Sequence, residues 1–147
     1  MNKSMKNIQL IYGDDLLDSD DLNLADNDSR ALAARCEIRI SSQKDLLASY
    51  VDLEEKIIIA AAFDFFVLGY YSFDVVVDRR YRRMGLGKKL IDIAMQKFYE
   101  LQSDLDDFDK TTLLLHVVNP VLVPYLMREY DLVVTNEINS DTILSSE

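Results

Sequence analysis

The residues of this chain that could do chemistry together stand in one junction, VVVDRRYRRMGLGKKLIDIA, running from Val75 to Ala94. A β-branched run leads into a basic turn holding Gly85 and Gly87, two of only four glycines, and then into an amphipathic repeat. Residues 78–89 hold six of the sixteen Lys and Arg and a single acid, so the segment carries +5 in a chain of net charge −10. A helix starting here would present unpaired N–H groups and a partial positive charge. Glycine leaves room for close approach, and the arginines and lysines add charge. These are the ingredients of a phosphate site.

Spacing excludes two common phosphate loops. A Walker A loop needs glycine five residues before the Gly87-Lys88 pair and Ser or Thr after it, and those positions are Arg82 and Lys89. A dinucleotide fingerprint needs a third glycine at Leu90. Other chemistry is sparse. One cysteine, Cys36, and one histidine, His116, supply neither an internal disulfide nor a zinc cluster. Seven aspartates lie between Asp14 and Asp28, but the glycine and glutamate of an EF-hand loop are missing. No metal is expected. A net charge of −10 argues against nucleic-acid binding, which depends on neutralising phosphates.

The elements that must position the junction follow from the hydrophobic pattern. With 147 residues, 49% of them hydrophobic and 29% charged, one domain spanning 1–147 is expected. Ile8 to Tyr12 forms a first strand. The aspartate-rich stretch is a loop, and Asp28 or Ser29 caps a short helix to Ala34. LLASYVD, the turn LEE and KIIIAAAFDFF form a hairpin, and YYSFDVVVD a third strand. Ile57 to Phe73 is apolar enough to weigh as a membrane span, but Asp64 near its centre would cost about 2.5–3.5 kcal/mol there, so strands win and no membrane is expected. Gly87 to Leu101 is a helix, with Leu86, Leu90, Ala94, Phe98 and Leu101 on one stripe. TTLLLHVV is expected as a strand covered on both faces. Asn119 and Pro120 look like a helix cap and first turn, with a short helix near Tyr125 to Glu129 and two closing strands, DLVVT and TILSS. The lone cysteine and the absence of an apolar leader point to a cytoplasmic setting.

Arg82-Arg83-Met84-Gly85-Leu86-Gly87 resembles the acetyl-CoA signature of the GNAT superfamily of N-acetyltransferases, written (Arg/Gln)-x-x-Gly-x-(Gly/Ala). The longer family pattern, V-x-P-x-Y-R-G-K-G-(I/L)-G, is similar to Val77 through Gly87, with Arg79 in place of its proline and Arg83 in place of its first glycine. The likeness covers roughly residues 46–135. The family's pattern N-x-x-A-x-x-L-Y-E-K-x-G-F is met by Asn119 and Tyr125 with spacing one residue short, and the Gly-Phe pair becomes Glu129-Tyr130. Residues 1–45 match only in role.

This resemblance implies an α/β domain with a mixed, mostly antiparallel sheet of six to seven strands flanked by helices. It implies acetyl-CoA as co-substrate, held by Arg82, Arg83, Met84, Gly85, Leu86, Gly87 and Lys88, with backbone N–H groups on the pyrophosphate. Asn119 joins the cofactor contacts by the same match. Val75, Val76 and Val77 would pair with the pantetheine arm as a strand does, one N–H facing the thioester oxygen. Tyr125 would protonate the departing thiolate, with Tyr130 the alternative, and Asp74 would be the general base. The acceptor is a primary amine of a small molecule or protein; the acidic chain favours a cationic one, and a homodimer is compatible. Against these functions stand plainer readings: Val75–Val77, His116 and Cys36 as core, Asp74 on an exposed strand face, Lys88 and Lys89 as solvated helix residues. Two rivals remain open, a non-catalytic CoA-binding module and an interaction protein that uses the basic turn at 79–89.

Overall fold

A computed structural model describes residues 7–13, 32, 44–55, 57–67, 69–103, 110–138 and 141–146. The aspartate-rich stretch, the short helix to Ala34 (Leu32 aside) and Cys36 lie outside the described residues, as does the connection at 104–109. Seven strands form a sheet: β1 (Ile8–Tyr12), β2 (Asp45–Asp52), β3 (Ile57–Val67), β4 (Tyr70–Val77), β5 (Thr112–Val117), β6 (Val133–Ile138) and β7 (Asp141–Ser145). Two helices of eight or more residues are described, α1 (Leu86–Ser103) and α2 (Leu122–Tyr130). The strand order is β1-β2-β3-β4-β5-β7-β6, with β4 and β5 parallel. The expected mixed, mostly antiparallel sheet forms. Ile57 to Phe73 becomes parts of two strands, and among the described residues no helix is long and apolar enough to cross a membrane.

The chain divides into two compact units. The first comprises 1–65 and 73–97. In it β1 pairs antiparallel with β2 (Tyr12 opposite Ala48, Ile8 opposite Asp52), and β2 with β3. Successive side chains of a strand point to opposite faces, so β3 feeds two cores. Leu32, Val51, Ile58, Ala61, Phe63 and Val76 form one. Ala48, Tyr50, Ile59, Ala60, Ala62, Tyr81, Leu86 and Leu90 form the other. Adjacent Ile59 and Ala60 share a core because the register skips there: Tyr50 pairs with Ala60 and Val51 with Ile58. Such a bulge puts two residues opposite one and re-aims the strand. The α1 stripe buries Leu86, Leu90, Ile91, Ala94, Met95 and Phe98, as its 3.6-residue period requires.

The second unit comprises 66–72 and 98–147. There β5 meets the start of β4 through Tyr70–Thr112 and Tyr71–Leu113, and Thr112 N–H donates to the Gly69 carbonyl at 2.7 Å. From Leu114 onward its ladder runs to β7. The expectation that β5 is covered on both faces is corrected: Leu113, Leu115 and Val117 are buried, whereas Leu114 and His116 are exposed. The apolar run conceals an alternating strand because leucine fills both its faces. Beyond β7 lies β6, all six of its residues exposed, with a register skip between Val134 and Asn136.

Candidate cofactor-binding site

The basic turn belongs to the first unit, and its shape follows from a few residues. Asp78 ends β4: its N–H donates to the carbonyl of Ile59, the bulged residue of β3, at 2.8 Å. Its carboxylate accepts from Arg80 N–H at 3.0 Å and so caps one 3-10 turn, Arg79–Tyr81, closed by Tyr81 N–H on the Asp78 carbonyl. Arg82 is then extended. Arg83 takes φ 68° and Gly85 φ 78°, both in the left-handed region. Glycine enters that region without strain, arginine does not. The Gly85 carbonyl accepts from Lys89 N–H, opening α1.

What the turn presents outward is cationic. Arg79, Arg80, Arg82, Arg83, Lys88 and Lys89 are all exposed. Arg80 is engaged by two carboxylates, Asp78 at 3.4 Å and Glu55 at 3.5 Å, and the hydrogen bond to Asp78 raises its pKa further. Arg82 and Arg83 make no ion pair among the described residues. A Cβ at Gly85 would meet nothing within 4 Å, and one at Gly87 only Val77 Cγ2 at 3.6 Å. The protein itself therefore does not need glycine's bareness at 87. Space is kept in front of the helix start, where N–H groups and positive charge converge, and an anionic phosphate ester fits that donor set.

Beneath the turn lies a feature that sequence reasoning missed. Tyr81 is fully buried, and its hydroxyl donates to Asp52 at 2.6 Å and lies 3.0 Å from Glu55. The second Asp52 oxygen accepts from Glu54 and Glu55 N–H at 2.9 and 3.2 Å. Burial, then the two carboxylates set against the hydroxyl, push the phenol pKa well above its ordinary value. Tyr81 was legible as part of the motif, but Asp52 stands 29 residues away and only the hairpin brings it near.

The other sequence-derived residues fall as follows. Val75 and Val77 pack half-buried against the core that contains Tyr81 and Leu86, and Val76 enters the opposite core. Met84 packs against the Tyr81 core, Leu86 lies in it. Asp74 is half-buried and paired with Lys44 at 2.7 Å, so its charge is already answered.

Tyr125 and Asn119 lie in the second unit. Asn119 is not the cap of α2, whose capping residue is Val121; it sets the turn before it, accepting Val121 N–H on its side chain at 3.1 Å and Leu122 N–H on its carbonyl. The helix ends with Asp131 at φ 56°, the left-handed position that glycine fills in a helix stop, followed by buried Leu132. This helix stop at Asp131-Leu132 stands two residues beyond Glu129-Tyr130. With Asp131-Leu132 taken as the pattern's Gly-Phe pair, its Leu-Tyr would fall on Leu126-Met127; with Glu129-Tyr130 taken, its Tyr is Tyr125. Tyr125 and Tyr130 meet ring edge to face at 6.1 Å. His116 is no core residue: its ring is half exposed and bonded to Asp141 at 2.9 Å.

Neither a protein-family model nor a curated protein matches the sequence. Solved structures do. ElaA from Escherichia coli is 12% identical over 95% of this chain and 99% of its own, with a TM-score of 0.57. The ribosomal-protein-S18-alanine N-acetyltransferase from Escherichia coli is 17% identical over 94% and 91%, with a TM-score of 0.51. The PaiA N-acetyltransferase from Thermoplasma acidophilum, solved with coenzyme A, is 13% identical over 78% and 65%, with a TM-score of 0.48; this chain spans less than two thirds of its length.

Proposed function

From the GNAT acetyltransferase fold, which this chain carries, we propose that it binds acetyl-CoA at the basic turn and moves the acetyl group directly to a primary amine. The observation that supports this reading best is the turn itself: exposed Arg82 and Arg83 and an open Gly85 directly before a helix start. In this reading the N–H groups of residues 83–88 hold the pyrophosphate, and the backbone of Val75–Val77 takes the pantetheine arm as an added strand. Bound acetyl-CoA supplies the activated thioester. A backbone N–H of β4 stabilises the oxygen that gains charge as the amine attacks. Asp74 serves structure through Lys44, and the amine enters as its free base. The net charge of −10 favours acceptors that are cationic in solution, such as a polyamine or a lysine side chain.

A second reading has an observation of its own. With Met127 at the pattern's tyrosine place and Asp74 held by Lys44, the same fold would serve as a CoA-binding module without transfer. Thermal unfolding with and without acetyl-CoA tests binding first. At 100 times the dissociation constant a ligand of the folded state adds about 2.7 kcal/mol, a shift of several degrees. Gly85→Glu, which places a carboxylate where the phosphate would sit, removes the shift. Thiol release with a panel of amines then separates the readings. Turnover that Tyr125→Phe leaves intact and Met127→Tyr increases supports transfer without a side-chain acid; loss of turnover in Tyr125→Phe returns that role to Tyr125. Binding without turnover supports the module.

A further inference from the structure

Arg83 holds a backbone conformation that arginine resists, so something must over-determine it. The span that contains it, Arg82 to Gly85, hangs between α1 and a pinned segment before it. That segment is tied in two ways. Asp78 is bonded through its N–H to the Ile59 bulge. Tyr81 reaches down from the turn and bonds Asp52 at the end of β2. A tyrosine hydroxyl has one proton to give. The shorter approach, 2.6 Å against 3.0 Å, directs it to Asp52, and Glu55 is left facing the Arg80 guanidinium. Asp52 thereby gathers three donors, the phenol and the N–H groups of Glu54 and Glu55, and joins the β2–β3 turn to the basic turn.

We propose that the Tyr81 hydroxyl, through Asp52, is the positioning group of the basic turn, fixing its N–H groups in their binding arrangement before coenzyme A arrives. This rests on the cofactor reading above. Tyr81 touches no ligand in this role. Arg80, committed to Asp78 and Glu55, stiffens the same assembly, which leaves Arg82 and Arg83 to meet phosphate.

The test is titration calorimetry of the 147-residue chain with coenzyme A, alongside unfolding midpoints. Tyr81→Phe keeps the buried ring and removes only the hydroxyl; Asp52→Asn keeps an oxygen for the two N–H groups. Each is expected to weaken coenzyme A binding about tenfold, since misplacing a pre-set group by a fraction of an ångström is costly. The double variant is expected to bind no more weakly than either single one, because the two act as a unit. Phe63→Leu, in the opposite core, lowers the midpoint but keeps the wild-type dissociation constant. Wild-type affinity in Tyr81→Phe overturns the proposal, as does a Phe63→Leu variant that loses as much affinity. A wild type that fails to bind coenzyme A overturns the cofactor reading, and this proposal with it.

Discussion

At the scale of the residue, Arg83 offers a sharp test. Its φ of 68° costs an L side chain roughly 1–2 kcal/mol. Glycine would be unstrained there, offset in part by the added freedom of its unfolded chain, about 0.5–1 kcal/mol. Arg83→Gly is therefore expected to unfold at the same temperature or a few degrees higher, while binding coenzyme A more weakly for want of a cation. A lowered midpoint would contradict the strain argument. Arg83 was visible in the sequence as a departure from a glycine-bearing pattern, and its dihedral gives that departure a physical meaning. Tyr81 was not visible in its role. Its partners sit on another hairpin, and no local spacing announces a hydroxyl that reaches across the core. His116 was misread for a related reason: flanking leucines and valines hide which of two strand faces is covered.

At the scale of the element, β3 and α1 are joined by an ion pair, Lys97 to Asp64, with Asp64 buried. Removing the cation takes this partner away from a buried carboxylate. Lys97→Met should lower stability by roughly 1–3 kcal/mol, less than a wholly buried pair would because Lys97 is partly exposed. Urea unfolding checks this, and adding Asp64→Leu should recover most of the loss. An unchanged midpoint in Lys97→Met would mark the pair as inconsequential. The strands and α1 were legible because alternation and a 3.6-residue stripe are direct imprints of burial. The β3 bulge was not, since Ile-Ile-Ile-Ala-Ala-Ala looks the same in either register. The start of α2 was misplaced because Asn119 resembles a cap yet folds its side chain into the preceding turn.

At the scale of the whole molecule, alkaline pH should unfold this protein through its buried phenols. Tyr81 is raised by burial and by the Asp52 and Glu55 carboxylates, Tyr50 by burial and by Tyr12. The unfolded chain releases these protons near 10.0, while the folded state withholds them. Stability is thus fully present below that pH and falls as pH climbs beyond it, because the unfolded state then binds fewer protons. Unfolding midpoints followed by circular dichroism should hold up to about pH 10 and drop beyond it, less steeply in Tyr81→Phe. An equal slope in both would locate the effect elsewhere. The architecture was legible at this scale because strand, basic turn and helix follow one another in an order tied to one chemistry.

The outermost strand, β6, is six exposed residues with a single acid, Glu137. An open edge of that kind is a template on which further chains can grow into fibres. Its register skip breaks the template in the middle. Thr135 has no opposite number on β7 and turns its hydroxyl to the Ile143 carbonyl at 3.4 Å, so an incoming strand in step with Val133 and Val134 is out of step by Asn136. One surplus residue thus guards the molecule against polymerising on its own kind, and a chain lacking Thr135 should form thioflavin-positive fibres sooner than the intact one.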